Sequence, residues 1–139
     1  MRPFLFLDID GVLNHAGSQW IDQGNLDCLA RIVSAVDPEI VLTSSWRTEM
    51  RSRRMREFMS TMACNGISIN FRTDDLGSRS KEIQKFIDEH DIKCFAILDD
   101  ENYYEKTPLL EYVFFSDYYQ GLTLEIAYNV VKYLKACQQ

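Results

Sequence analysis

The stretch FLFLDIDGVLN, residues 4 to 14, decides how the rest of the chain is read. It opens as a run apolar on both faces, which marks a central strand of a parallel sheet. It closes on two aspartates one residue apart, Asp8 and Asp10, followed at once by Gly11. A buried strand does not accept charge without a compensating partner. Gly11 lets the chain turn away tightly, so the two acids stand where the strand runs out. Side chains two apart on a strand share a face, and Asp8 and Asp10 are therefore expected to reach one volume.

Outward from that stretch, strands and helices alternate. NLDCLARIVSAV (25–36) carries apolar residues at helical spacing, and Asp37-Pro38 stops it. EIVLTSS is a second buried strand. The spacing of Met55, Phe58, Met59 and Met62 predicts a helix over residues 49–63, ended by Asn65-Gly66, and ISINF reads as a short third strand. Residues 80–90 are helical, with Ile83, Phe86 and Ile87 inward. CFAILDD and YVFFSD are two more buried strands, and Thr123 caps a last helix to about residue 136. Such alternation predicts an α/β fold on a parallel sheet. Ligands of these sheets bind at the carboxyl ends of the strands. Asp8 and Asp10, then Thr43, Ser44 and Ser45, then Asp99 and Asp100, all fall at such ends.

The 139 residues suit one domain, 1–139, with a real core. A net charge of −6 argues against general affinity for nucleic acid or anionic lipid, so a polyanionic partner would need a local basic patch. Cys28, Cys64, Cys94 and Cys137 show no C-x-x-C and no metal-ligand spacing, and read as reduced structural thiols. The first apolar run is too short for a signal peptide, and no run approaches a membrane span. A cytoplasmic location without membrane association is expected.

The converging groups have a chemistry. Asp8, Asp10, Asp99 and Asp100 would repel one another in a partly dry site. A hard cation resolves that conflict, and an all-oxygen donor set suits Mg²⁺, which commonly shares phosphate oxygens. Ser44 supplies a hydroxyl, and Arg79 or Lys81 a cation at the start of a helix. Metal, hydroxyl and cation around one point would neutralise a phosphoryl group in its transition state. One carboxylate is then free to attack phosphorus, and another to move the proton.

The pattern DIDGVLN, then VLTSSWR, then RSKEI, then AILDD resembles the four motifs of the haloacid dehalogenase superfamily, in order and over nearly the whole chain. SRSKEIQKFIDEH followed by FAILDD also resembles a small bacterial and phage branch. The resemblance implies a Rossmann-like three-layer sandwich, a mostly parallel five-stranded sheet with helices on both faces. It implies that Asp8 is a nucleophile that becomes an aspartyl-phosphate, and Asp10 the general acid/base, with its backbone carbonyl on Mg²⁺. Ser44, with Thr43 as fallback, would bind the substrate phosphate. Asp99 would ligate the metal directly and Asp100 stand beside it. The family usually has lysine in motif three; here Arg79 holds the matching offset, with Lys81 as the alternative. An acid two residues after the nucleophile favours phosphate esters over halides, because an alkoxide leaving group needs a proton.

Neither gap that could hold a cap domain is long enough for one, so an open site is expected. The substrate class stays wide: a small phosphorylated metabolite, a nucleotide, or a phosphorylated nucleic-acid end. A phospho-accepting signalling module and a scaffold on an inactive phosphatase fold are the readings from other classes. Trp46 could stack on a substrate ring or pack against the next helix. Arg47, Arg51 and Arg54 fall at i, i+4, i+7, a stripe that reads either as a solvated face or as a rail for a polyanionic substrate.

Overall fold

The computed structural model describes residues 2–139. Strands β1 (Phe4–Leu7), β2 (Glu39–Leu42), β3 (Ile69–Arg72), β4 (Phe95–Asp99) and β5 (Val113–Phe115) form one sheet in the order β3-β2-β1-β4-β5. Each neighbouring pair is parallel. Helices α1 (Gln23–Val36), α2 (Arg53–Cys64), α3 (Arg79–His90) and α4 (Leu124–Cys137) cover it. The strands divide their side chains between two cores with period two. Leu5 and Leu7 pack with apolar residues of α1, α2 and α4, while Phe6 faces Ile83, Phe86 and Ile87 of α3. This is the α/β fold on a parallel sheet that the sequence pattern predicts, and the three-layer sandwich with helices on both faces that the resemblance implies.

The sheet places the functional edge. From β1 the chain runs outward to β2 and β3, then returns to lay β4 on the other side of β1. The order reverses between β1 and β4, and the crevice at such a reversal is where these folds bind ligands. The β1–β4 register pairs Leu7 with Leu98, so the next residues, Asp8 and Asp99, stand level at the mouth of that crevice.

Two expectations are corrected. The helix read over residues 49–63 is two pieces. Ser44 opens a 3-10 turn, Ser45–Glu49, by accepting from the Trp46 amide, and Ser52 caps α2 by accepting from the Met55 amide. A serine that satisfies free amides starts a new helix instead of continuing the old one. Arg47, Arg51 and Arg54 therefore do not share one helical stripe. The cysteines are not all reduced: Cys94, just before β4, and Cys137, at the end of α4, are disulfide-bonded with Cα atoms 5.6 Å apart, while Cys28 and Cys64 are free. The cytoplasmic expectation loses the support it drew from reduced thiols. Among the described residues, no helix is long and apolar enough to cross a membrane.

Candidate active site

One carboxylate oxygen from each of Asp8, Asp99 and Asp100 lies within 4.8 Å of the others. Asp8 and Asp99 are buried and Asp100 is half-buried. Burial first, then the Asp99 charge, raises the Asp8 carboxyl well above its ordinary range, against the pull of Arg79. Burial and Asp99 likewise push Asp100 up to about 6. Arg79, in the first turn of α3, stands among them: its Nη1 lies 3.7 Å from Asp8 Oδ1 and donates to Asp99 Oδ2 at 3.2 Å. Burial works against its charge, but Asp8 and Asp99 outweigh that and hold it fully protonated. One cation does not balance three carboxylates. Three oxygen donors with no sulfur or imidazole among them fit a hard divalent cation.

Two further groups fix this cluster. The hydroxyl of Tyr104, wholly buried, donates to Asp99 Oδ2 at 2.7 Å, and the Glu101 amide donates to Asp99 Oδ1 at 3.1 Å. Gly11 has φ +76°, and a Cβ there would overlap the Asp100 carboxylate. The glycine is thus needed twice, for the turn and for the space its neighbour fills.

Asp10 departs from expectation. Strand β1 ends at Leu7, so the shared-face rule does not carry through Asp10, and its side chain is outside the carboxylate trio. Oδ1 accepts from Asn14 Nδ2 and Oδ2 from Trp46 Nε1, both at 3.0 Å. These two donors hold the side chain, and the metal contact expected of Asp10 is through its backbone carbonyl. Trp46 is corrected as a stacking surface: it is 2% exposed, packs against Phe58, and uses its indole to hold Asp10.

Ser44 and Thr43 follow β2 and are both buried. Ser44 Oγ accepts from the Trp46 amide, which leaves its own proton to donate. Thr43 Oγ1 has no hydrogen-bond partner among the described residues. Of the two candidate cations, Arg79 is in the cluster, whereas Lys81 is exposed and in none of its ion pairs.

Arg47 is also corrected as a substrate contact. All five of its N–H donors are engaged inside the protein. They reach the carbonyls of Thr43, Ser44, Thr73 and Asp74 at 2.9–3.1 Å, and Glu82 Oε1 at 2.9 Å. Glu82, buried in the first turn of α3, also accepts from the Leu76 amide at 2.8 Å. The pair clamps the Ser44 loop to the loop that delivers Arg79. Arg54 sits over the Trp46 ring at 4.6 Å and pairs with Glu49. Arg51 remains exposed.

The histidines take structural positions. His15 Nε2 lies 3.3 Å from Asp22, the cap of α1, and His90 stacks on Phe86 at 3.9 Å. Glu82 and Asn14 are the residues that reading the sequence missed. Each acts on a functional residue across a loop or turn, where no period announces it. The Glu in RSKEI was the one available signal.

The sequence matches the family model for the HAD domain in Swiss Army Knife RNA repair proteins over residues 4–127. No curated protein sequence matches it. Two solved structures are similar. One, from Vibrio cholerae, is provisionally named a 3-deoxy-D-manno-octulosonate 8-phosphate phosphatase; it is 16% identical with TM-score 0.51, over 99% of this chain and 85% of the other. The second, from Legionella pneumophila, is provisionally named a HAD superfamily hydrolase of subfamily III A; it is 12% identical with TM-score 0.53, over 99% and 86%. At these identities the likeness speaks to the fold.

Proposed function

Since the chain belongs to the haloacid dehalogenase (HAD) domain family of Swiss Army Knife RNA repair proteins, we propose that this hydrolase is a Mg²⁺-dependent phosphatase. Its substrate is a phosphomonoester at a nucleic-acid end. The observation that carries the reading is the buried trio of Asp8, Asp99 and Asp100 with Arg79 set between Asp8 and Asp99. Such charge, concentrated at the sheet's order reversal, suits a transferring phosphoryl group better than a structural role.

Asp99 and Asp100, with one oxygen of Asp8, would hold the ion. Bound Mg²⁺ would neutralise the trio and the charge developing on the phosphoryl oxygens. The free oxygen of Asp8 attacks phosphorus and the ester P–O bond breaks, leaving an aspartyl-phosphate. Asp10 gives its proton to the departing alkoxide. It then takes one from a water whose oxygen attacks the same phosphorus, which releases inorganic phosphate and restores Asp8. Ser44 and Arg79 bind the phosphoryl oxygens throughout. Trp46 and Asn14 hold Asp10 in position for both proton transfers.

Between β1 and β2 there is only α1 with its loops, and between β2 and α3 only the 3-10 turn, α2 and β3. We read the core as capless, which leaves the crevice open to a large substrate. The family's description as RNA repair proteins supports the nucleic-acid end over a small metabolite, and hydrolysis over a phospho-accepting signal module.

The test is release of inorganic phosphate from end-phosphorylated oligonucleotides and from p-nitrophenyl phosphate, with and without Mg²⁺. Asp8→Asn should abolish turnover of both while keeping the fold, and EDTA should do the same to the wild type. Full activity in Asp8→Asn would end the covalent mechanism.

A further inference from the structure

Two cavities lead away from the cluster, the first lined by Arg79 itself and the second continuous with the first, and they differ in chemistry. The first, about 500 Å³, runs from Arg79 past Ser45, Ser78 and Asp75 to the ring of Tyr103. The second, about 570 Å³, shares Thr48 and Asp75 with the first and continues to Arg51 and Arg72. Arg47 lines both and Glu82 the first, but Arg47 is spent on Glu82 and on four backbone carbonyls, and Glu82 on Arg47 and the Leu76 amide.

The first cavity repels a second phosphate. Apart from Arg79, which belongs to the catalytic cluster, it offers no free cation, and Asp75 carries an unpaired carboxylate among the described residues. What it does offer is an aromatic face and hydroxyls. Tyr103 is half-exposed, with the Arg79 guanidinium 5.2 Å from its ring centroid on one side. Such a lining fits a neutral, hydrogen-bonding ring system: a nucleoside, its base on Tyr103 and its sugar toward the hydroxyls.

The second cavity has the opposite character. Of its carboxylates, Glu49 and Asp74 are paired, with Arg54 and Lys85, which leaves Asp75 at the border with the first cavity. Its arginines Arg51 and Arg72 are exposed and in no ion pair among the described residues. Two exposed guanidiniums with no ion-pair partner, lining one cavity, offer donors for a phosphodiester.

We propose that these cavities form one substrate track: the terminal nucleoside stacks on Tyr103, and the next backbone phosphate lies between Arg51 and Arg72. The track rests on the phosphatase reading above and extends it, since it selects a polynucleotide end over a mononucleotide.

Three phosphomonoesters test it: glycerol phosphate, a nucleoside monophosphate, and a dinucleotide with a terminal phosphate, supplied as both 3′ and 5′ isomers. Wild-type kcat/KM should rise in that order for at least one isomer. Tyr103→Ala should lower the ratio of nucleotide to glycerol phosphate about tenfold, and Tyr103→Phe, which keeps the ring, should preserve it. Arg51→Ala with Arg72→Ala should lower the ratio of dinucleotide to mononucleotide and flatten the dinucleotide's salt dependence. An equal loss on all three esters in Tyr103→Ala would make Tyr103 a mere prop for Arg79 and overturn the track. So would a wild type indifferent to chain length. Calorimetric binding of the phosphorylated dinucleotide to Asp8→Asn, with and without Tyr103→Ala, separates the two ideas. No turnover of any ester sinks the phosphatase reading, while binding that ignores Tyr103 sinks the track alone.

Discussion

The indole Nε1 of Trp46 donates to Oδ2 of Asp10 at 3.0 Å, across 36 residues of sequence. With Asn14 on the other oxygen, it fixes a carboxyl group that would otherwise rotate freely at an exposed turn. If Asp10 delivers the proton to the leaving group, Trp46→Phe should hurt most where that proton matters. We expect kcat to fall about tenfold for an alkyl phosphate and much less for p-nitrophenyl phosphate, whose phenolate leaves unaided. KM should hold, since Trp46 touches no substrate. Equal losses on both esters would show that the indole only supports packing against Phe58.

The ion pair of Arg47 and Glu82 is buried on both sides, with side chains 4% and 5% exposed. Removing one partner strands the other's charge. Arg47→Met should therefore cost about 3–5 kcal/mol of stability, read from urea denaturation. Glu82→Gln, which keeps an acceptor for the Leu76 amide, should cost less. A double-mutant cycle should return a coupling of about 1–3 kcal/mol. Additive effects would show that Arg47 stabilises through its four carbonyl contacts and not through the pair.

That clamp marks the boundary of what the sequence could say. The strands were legible because a strand covered on both faces is apolar throughout, as FLFL and FAIL are. The carboxylates were legible because strand ends collect function in such sheets, and Asp8, Asp99 and Asp100 do converge. Arg47 was not. A five-arginine run in an acidic chain reads as surface, and only the folded loops reveal four carbonyls aimed at one guanidinium. The break after Glu49 was hidden in the same way, because Ser52 matters as a cap only once the amide of Met55 lacks a partner. The disulfide joins residues 43 apart in sequence, a separation that no local spacing rule detects.

Arg79 and Lys81 stand two residues apart at the start of α3, yet only Arg79 reaches Asp8 and Asp99. Removing a cation from a transferring phosphoryl group costs about 10²–10³ in rate. Arg79→Ala should lose about that much in kcat/KM, while Lys81→Ala should stay within about threefold. Arg79→Lys should recover part of the loss, because a point charge replaces the fork imperfectly. If Lys81→Ala proved the worse variant, the phosphate would have to lie on the outer side of α3, away from the carboxylates.

Metal and proton should compete for the trio, with a sign that can be worked out. Burial and the neighbouring Asp99 raise the carboxyls of Asp8 and Asp100 in the folded protein, Asp100 to about 6. A carboxyl raised by folding holds a proton that the unfolded chain has already released. The metal-free protein therefore loses stability as pH rises from about 4 to 6 through Asp100, and further through Asp8. A divalent cation binds the ionised trio, so at low pH it must displace protons, and at high pH it relieves the repulsion directly. MgCl₂ should raise Tm by several degrees at pH 7.5 and by clearly less at pH 5. Asp100→Asn, which cannot titrate, should flatten that difference and weaken the binding. Calorimetry at pH 5.5 in two buffers of unlike ionisation enthalpy should register proton release on Mg²⁺ binding. A shift in Tm that is the same at both pH values, with no proton released, would mean the cation binds elsewhere on this acidic surface.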